Sequence, residues 1–343
     1  MLYVTTRNKH DAFTVNWSIS QDRGADGGLF VPYRLPFFDK DQILSMAGQS
    51  FGQNVSEILN VLFSAKLTAW DVEVTIGRFP VRLKTAGLRL LVGELFHNAE
   101  GRFQRAVNAL AARLHPDGEL MGAPSNWVQI GIRTAVLFGV YAELLKSGQV
   151  RRDKPLVLAV PSGSFAIPMA VWYARAMGLP IGTIVCGCGE NGAVWELLYR
   201  GQVDGALVSG QSASGEVPVN LERLICGVFD QEEALRYCWS CSEGETYTLP
   251  ETGKGLLQKD LFAAVVSPER VSAMIASVYQ TSGYIFDPHS ALAYGALADF
   301  RARTGSAAMA LLWMENSPLC SASAVADAMH ISLGELKDKI SQK

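Results

Sequence analysis

The stretch from Pro155 to Val185 constrains the fold of this chain more than any other. Pro155 to Val160 (PLVLAV) is a continuous apolar run of strand length, broken by Pro161-Ser162-Gly163-Ser164. A helical pattern follows over Ile167 to Met177. Gly178-Leu179-Pro180 ends it, and Ile181 to Val185 reads as a second strand. A strand that is apolar throughout is covered on both faces, as in parallel sheets, so strand, helix, strand predicts a doubly wound α/β sheet. The neighbouring segments extend the pattern. Asn126 to Leu145 reads as a long, largely apolar helix, with further helices near Val217 to Phe229, Pro268 to Thr281 and Ser290 to Arg303. A strand over Ala307 to Trp313 and a closing helix from Leu333 complete the run. Residues 1–90 do not repeat the unit and read as a mixed α+β segment.

Composition narrows the function classes. A chain of 343 residues with 49% apolar and 18% charged residues has the balance of a protein with a real core. A net charge of −3 and a pI near 6.0 leave no electrostatic footprint for nucleic acid. The first ten residues lack an apolar signal core, and stretches such as Ala307 to Met314 are too short to span a bilayer. The expectation is a soluble, cytoplasmic protein with neither nucleic acid nor membrane as partner. Cys186/Cys188 and Cys238/Cys241 offer four thiols of a tetrahedral set. The first pair ends an apolar strand and the second has no matching knuckle, so all are read as small buried hydrophobes, with no metal expected.

Four local features carry chemistry. The turn Pro161 to Phe165 feeds small residues into a helix N-terminus, a shape that suits phosphate or another anion as well as an ordinary βα turn. Asp287-Pro288-His289-Ser290 opens a helix, with Asp287 a natural N-cap and His289 either a general base or a hydrogen-bonded scaffold group. Glu94 and His97 follow a strand-like LRLLVG and stand close enough to act together or merely to brace one another. Glu222-Arg223 begins an apolar helix and reads as an ion-pairing site.

In order along the chain, these segments resemble threonine synthase, a fold-type II pyridoxal-phosphate enzyme. Tyr3-Val-Thr-Thr-Arg7 and Ala25-Asp-Gly-Gly-Leu-Phe-Val-Pro32 look like the family's N-terminal signature. Glu94-Leu-Phe-His97 looks like the start of E-L-F-H-G-P-T-x-A-F-K-D, and Ser125-Asn-Trp127 like S-I-N-W. Val160-Pro-Ser-Gly-Ser-Phe165 is similar to V-P-T-G-N-F-G, and Met177-Gly-Leu-Pro-Ile181 to M-G-L-P-I. Asn220-Leu-Glu-Arg-Leu224 resembles N-F-E-R-L, and Asp287-Pro-His-Ser-Ala291 resembles D-P-H-T-A. The resemblance implies a doubly wound sheet of the tryptophan synthase β kind. It also implies a threonine-synthase-like N-terminal domain over 1–90 and a large α/β domain over 91–343.

The departures from the family pattern set the functional expectation. Aligned from Glu94, the lysine that forms the Schiff base falls on Gln104, after a retained Phe103 and before Arg105. An amide forms no aldimine and moves no proton near neutral pH. The family's T-S-G-D-T-G segment is absent. Only 21 residues separate Gln104 from Asn126, too few for a βαβ unit, which needs roughly 30. The smaller cofactor-covering subdomain is therefore expected to be largely deleted, with a remnant at 104–126. In the phosphate loop (Ser162, Gly163, Ser164, Phe165, Ala166) the family Asn becomes Ser164 and its second Gly becomes Ala166. A Cβ then stands where backbone approaches the anion. Glu315 takes the place of the Thr that faces the pyridine nitrogen.

Two readings follow. In the first, the chain has lost pyridoxal-phosphate-dependent threonine synthase activity and expects no cofactor. Its fold then serves as a binding or partner module, with a protein partner or self-association covering the opened cleft. In the second it is a repurposed enzyme acting on a small anionic, amino-acid-like substrate, without the cofactor or with it held non-covalently. The candidate groups are Glu94, His97, His289 and Glu315, and convergence of these four on one pocket separates the two readings.

Overall fold

The computed structural model describes residues 1–77, 82–85, 89–95, 103–115, 123–208 and 216–341. Its centre is a six-stranded sheet in the order β3-β4-β10-β5-β6-β9. These strands are β3 (Arg82–Thr85), β4 (Leu90–Glu94), β5 (Leu156–Pro161), β6 (Ile181–Cys188), β9 (Leu261–Val265) and β10 (Ala310–Met314). All neighbours run parallel except β3, which pairs antiparallel with β4 at one edge. Two small antiparallel ribbons flank the sheet: β1 (Tyr3–Thr5) with β2 (Phe30–Pro32), and β7 (Gln202–Asp204) with β8 (Thr246–Thr248). The expected βαβ unit is present as β5, the helix Ala166–Ala176 and β6. Strand β3 precedes the domain boundary expected at residue 90, yet it belongs to the large sheet.

Helices cover both faces, and strand alternation divides the core accordingly. Leu91, Leu158, Ile184, Leu311 and Trp313 face one layer, with the helices Phe51–Phe63, Phe103–Leu114 and Trp127–Lys146 packed on that side. Leu90, Val92, Val157, Leu312 and Met314 face the other, against the helices Pro268–Ser282 and Pro288–Thr304. Asp287 caps the last of these helices by accepting from the backbone N–H groups of His289 and Ser290.

The helix Trp127–Lys146 is long and apolar enough to cross a membrane, but 89% of its apolar window is buried inside the fold. Its length and hydropathy therefore reflect its place at the centre of the core. Close approach to the helix Phe51–Phe63 depends on glycine, because a Cβ on Gly139 would stand 2.8 Å from the Phe51 ring. Between Leu114 and Trp127 the described residues contain no strand.

The N-terminal segment is tied to the large sheet by the motifs that begin and end it. The Trp127 indole donates to the Tyr3 hydroxyl at 2.9 Å, which in turn donates to the Leu62 carbonyl. Glu222, 4% exposed, accepts from the Arg7 guanidinium at 3.0 Å and from the Thr6 hydroxyl. Arg223 donates from Nε to the Phe30 carbonyl at 3.0 Å. Burial alone would raise the Glu222 carboxyl, but the bonds from Arg7 and Thr6 outweigh it and hold the group below its ordinary range.

Candidate functional site

A void of about 240 Å³ opens at the C-terminal ends of β5 and β10, where open α/β sheets place their ligands. Its lining includes Gln104, Arg133, the turn from Pro161 to Ser164, Glu216, His289 and Glu315. The floor is an ion pair. Arg133, on the helix Trp127–Lys146, donates from Nε to Glu315 Oε1 at 2.7 Å and from Nη2 to Glu315 Oε2 at 2.8 Å. Both side chains are largely buried, at 6% and 12% exposure. The parallel two-pronged geometry is the strongest that arginine makes with a carboxylate.

The remaining Arg133 donors are also engaged. Nη1 bonds to the Gln129 carbonyl at 2.9 Å and to Gln129 Oε1 at 3.0 Å, and Nη2 bonds to Gln104 Oε1 at 3.0 Å. The Gln104 amide donates to Gln129 Oε1 at 2.7 Å and to Asn108 Oδ1 at 2.8 Å. Trp313 Nε1 adds a bond to Glu315 Oε1 at 2.9 Å. A guanidinium has five N–H donors and a primary amide two, so these bonds use the donor capacity of Arg133 and Gln104 in full.

The opposite wall is the turn before the helix Ala166–Ala176. Gly163 and Phe165 both adopt left-handed backbone, with φ of 42° and 64°. Gly163 makes that conformation without strain, whereas Phe165 carries a side chain there and is held by complete burial. Pro168 removes one N–H from the first helical turn, which lowers the number of donors aimed at the cleft. A carboxylate also stands over this turn: a Cβ on Gly163 would lie 2.9 Å from Glu216 Oε2. Glu216 thus opposes, by like charge, any anion approaching the loop.

Two of the four residues expected to converge, His289 and Glu315, line this cleft together. Glu94 does not. It is in register with Met314 and shares that residue's side of the sheet, where the Tyr284 hydroxyl donates to it. Glu315 lies on the other side, with Trp313. Burial and the Glu94 charge push the Tyr284 hydroxyl far above the usual phenol range. His97 lies outside the described residues. Gln104, Ser162, Gly163, Ser164 and Ala166 all line the void, while Phe165 is buried beneath it. Arg133, Gln129 and Glu216 are additions that motif reading does not supply. Arg133 and Gln129 carry a signal of their own, as polar residues four apart on one face of a largely apolar helix.

Cys186 and Cys188 are buried in β6, and burial pushes both thiols up, Cys188 to about 11. Among the described residues no group of three or more His, Cys, Asp or Glu is placed to hold a metal.

A family model for the threonine synthase N terminus matches residues 2–78. Beyond that segment the chain is also similar to threonine synthases and to a threonine synthase-like protein. It is 28% identical to the human protein threonine synthase-like 1 over 177 residues, which are 49% of this chain and 24% of that relative. The match therefore spans about a quarter of that relative's length. The fold is similar to the pyridoxal-phosphate-bound threonine synthase of Brucella melitensis, with a TM-score of 0.80 at 18% identity, covering 96% of this chain and 92% of that one. The threonine synthase of yeast gives the same TM-score at 17% identity, with coverage of 96% and 90%. These two structures establish the fold-type II architecture for this chain.

Proposed function

We propose that this protein is a threonine-synthase-like chain that has given up the pyridoxal-phosphate reaction and keeps the fold as a cytoplasmic binding or regulatory module. The observation that carries this reading is the state of Gln104. Aligned with the family's Schiff-base lysine, it lines the cleft, but its amide is consumed by Asn108, Gln129 and Arg133.

The cleft's side chains do not fit pyridoxal phosphate. No lysine is among the described residues that line the void. Glu315, in the place that faces the ring nitrogen in the family pattern, is engaged by Arg133 and Trp313. The loop that would hold the phosphate has Glu216 over it. A doubly charged phosphate placed there would meet a carboxylate, with the nearest cleft cation, Arg133, already neutralised.

The repurposed-enzyme reading is weaker, because Glu94 faces the opposite side of the sheet from Glu315 and does not line the cleft that His289 and Glu315 share. An anionic substrate also meets Glu216. A partner protein over the cleft remains part of the proposal.

The test is incubation of the pure protein with pyridoxal phosphate, borohydride reduction and intact-mass measurement. No mass gain is expected. A stoichiometric adduct on a single lysine overturns the proposal.

A further inference from the structure

We propose that Arg133 is an internal lock that ties together the three segments forming the floor of the cleft. The proposal rests on reading the cleft as one that has no lysine-held cofactor, and it adds what has taken the cofactor's place as a tie between the walls.

Three separate segments meet at this one guanidinium. Glu315 follows β10 in the central sheet, Gln104 opens the helix Phe103–Leu114, and Gln129 and Arg133 itself belong to the core helix Trp127–Lys146. The same junction is closed on the backbone, where the Phe103 N–H donates to the Glu315 carbonyl at 3.1 Å. Without Arg133, the buried Glu315 carboxylate loses both prongs of its ion pair and keeps the Trp313 N–H, while the side-chain oxygens of Gln104 and Gln129 each lose a donor, an arrangement that low dielectric penalises heavily. With it, the cluster is satisfied and asks nothing of a ligand. A ligand entering the floor must therefore displace a bidentate buried ion pair, whereas one confined to the rim around Ser164 and His289 need not.

The lock also explains why the departures stand together. Glu315 is an uncompensated buried charge unless Arg133 is present. A second cation in place of Gln104 would lie where an acceptor now serves Arg133 Nη2.

The experiment compares amide hydrogen exchange in wild type, Arg133→Met, Arg133→Lys and the double variant Arg133→Met/Glu315→Leu, each with and without added pyridoxal phosphate. The expected result is a rise in exchange of at least roughly tenfold across residues 103–114 and 314–316 in Arg133→Met, with smaller changes in the distant helix Pro268–Ser282. The scale follows from the cost of leaving a buried charge unpaired. Arg133→Lys keeps the charge but loses the fork, and falls between. The double variant removes both charges and returns most of the protection. Wild type is unmoved by pyridoxal phosphate.

Unchanged exchange in Arg133→Met at both segments overturns the lock. So does an equal rise everywhere, which marks general destabilisation. Should Arg133→Met fail to fold, the lysine and double variants decide: a double variant as exposed as wild type is protected contradicts the lock. An aldimine in wild type defeats the proposed function instead, and is read independently by mass.

Discussion

Arg133 and Glu315, 182 positions apart in the chain, form a two-pronged ion pair of 2.7 and 2.8 Å at the floor of the cleft. Both are mostly buried, so removing one partner strands the other. Glu315→Leu alone is expected to cost about 3–5 kcal/mol of stability, whereas the paired removal of both charges costs much less. Chemical denaturation of the two single variants and the double variant measures the coupling directly.

A lysine at position 104, where the proposed alignment with threonine synthases would place one, is expected to harm this chain. Gln104→Lys removes an acceptor 3.0 Å from Arg133 Nη2 and introduces a second cation beside it. The loss is expected to be about 1–3 kcal/mol, read as a lower denaturant midpoint. A gain in stability would show that Gln104 is not integral to the network.

The clasp between the N-terminal segment and the sheet gives a pH dependence. The folded Glu222 carboxyl titrates below its ordinary value of 4.5. Its contribution is therefore complete above that pH and drains away as pH falls through the lower, folded value. Glu222→Gln is expected to lower stability at neutral pH and to flatten the acid limb between pH 4.5 and the folded value. A variant whose stability profile parallels wild type throughout contradicts the assignment.

Gly187 in β6 offers a packing test that removes no charged group. A Cβ there would lie 2.4 Å from the backbone of Leu292, in the helix Pro288–Thr304. Backbone cannot swing aside as a side chain does, so Gly187→Ala is expected to destabilise by about 3 kcal/mol or more. Thermal melts check this, with Gly255→Ala, where a Cβ meets nothing within 4 Å, as the control.

Much of this architecture is legible in the chain itself. PLVLAV and the run from Ile181 read as strands because they are continuous, apolar and punctuated by proline and glycine, and they become β5 and β6. Strand β9 is harder to see. Leu261–Val265 has five residues at the sheet edge, and its exposed Val265 gives no alternation to detect. Strand β3 is defined by antiparallel pairing with β4, which no local pattern encodes. The site divides in the same way. The turn at Ser162 to Ala166 and the position of Gln104 are local motifs and can be read directly. The partnership of Arg133 with Glu315, and the approach of Glu216 to Gly163, are products of the fold. Glu94 and Glu315 are equivalent in sequence, as carboxylates near strand ends, yet pleating sends them to opposite faces of the sheet.

Loss of the family's cofactor chemistry is tested most directly by an absorbance titration of the wild-type protein with pyridoxal phosphate. The prediction is a spectrum equal to the sum of protein and free cofactor at every ratio. A saturable aldimine band that survives gel filtration and disappears on borohydride treatment would contradict it.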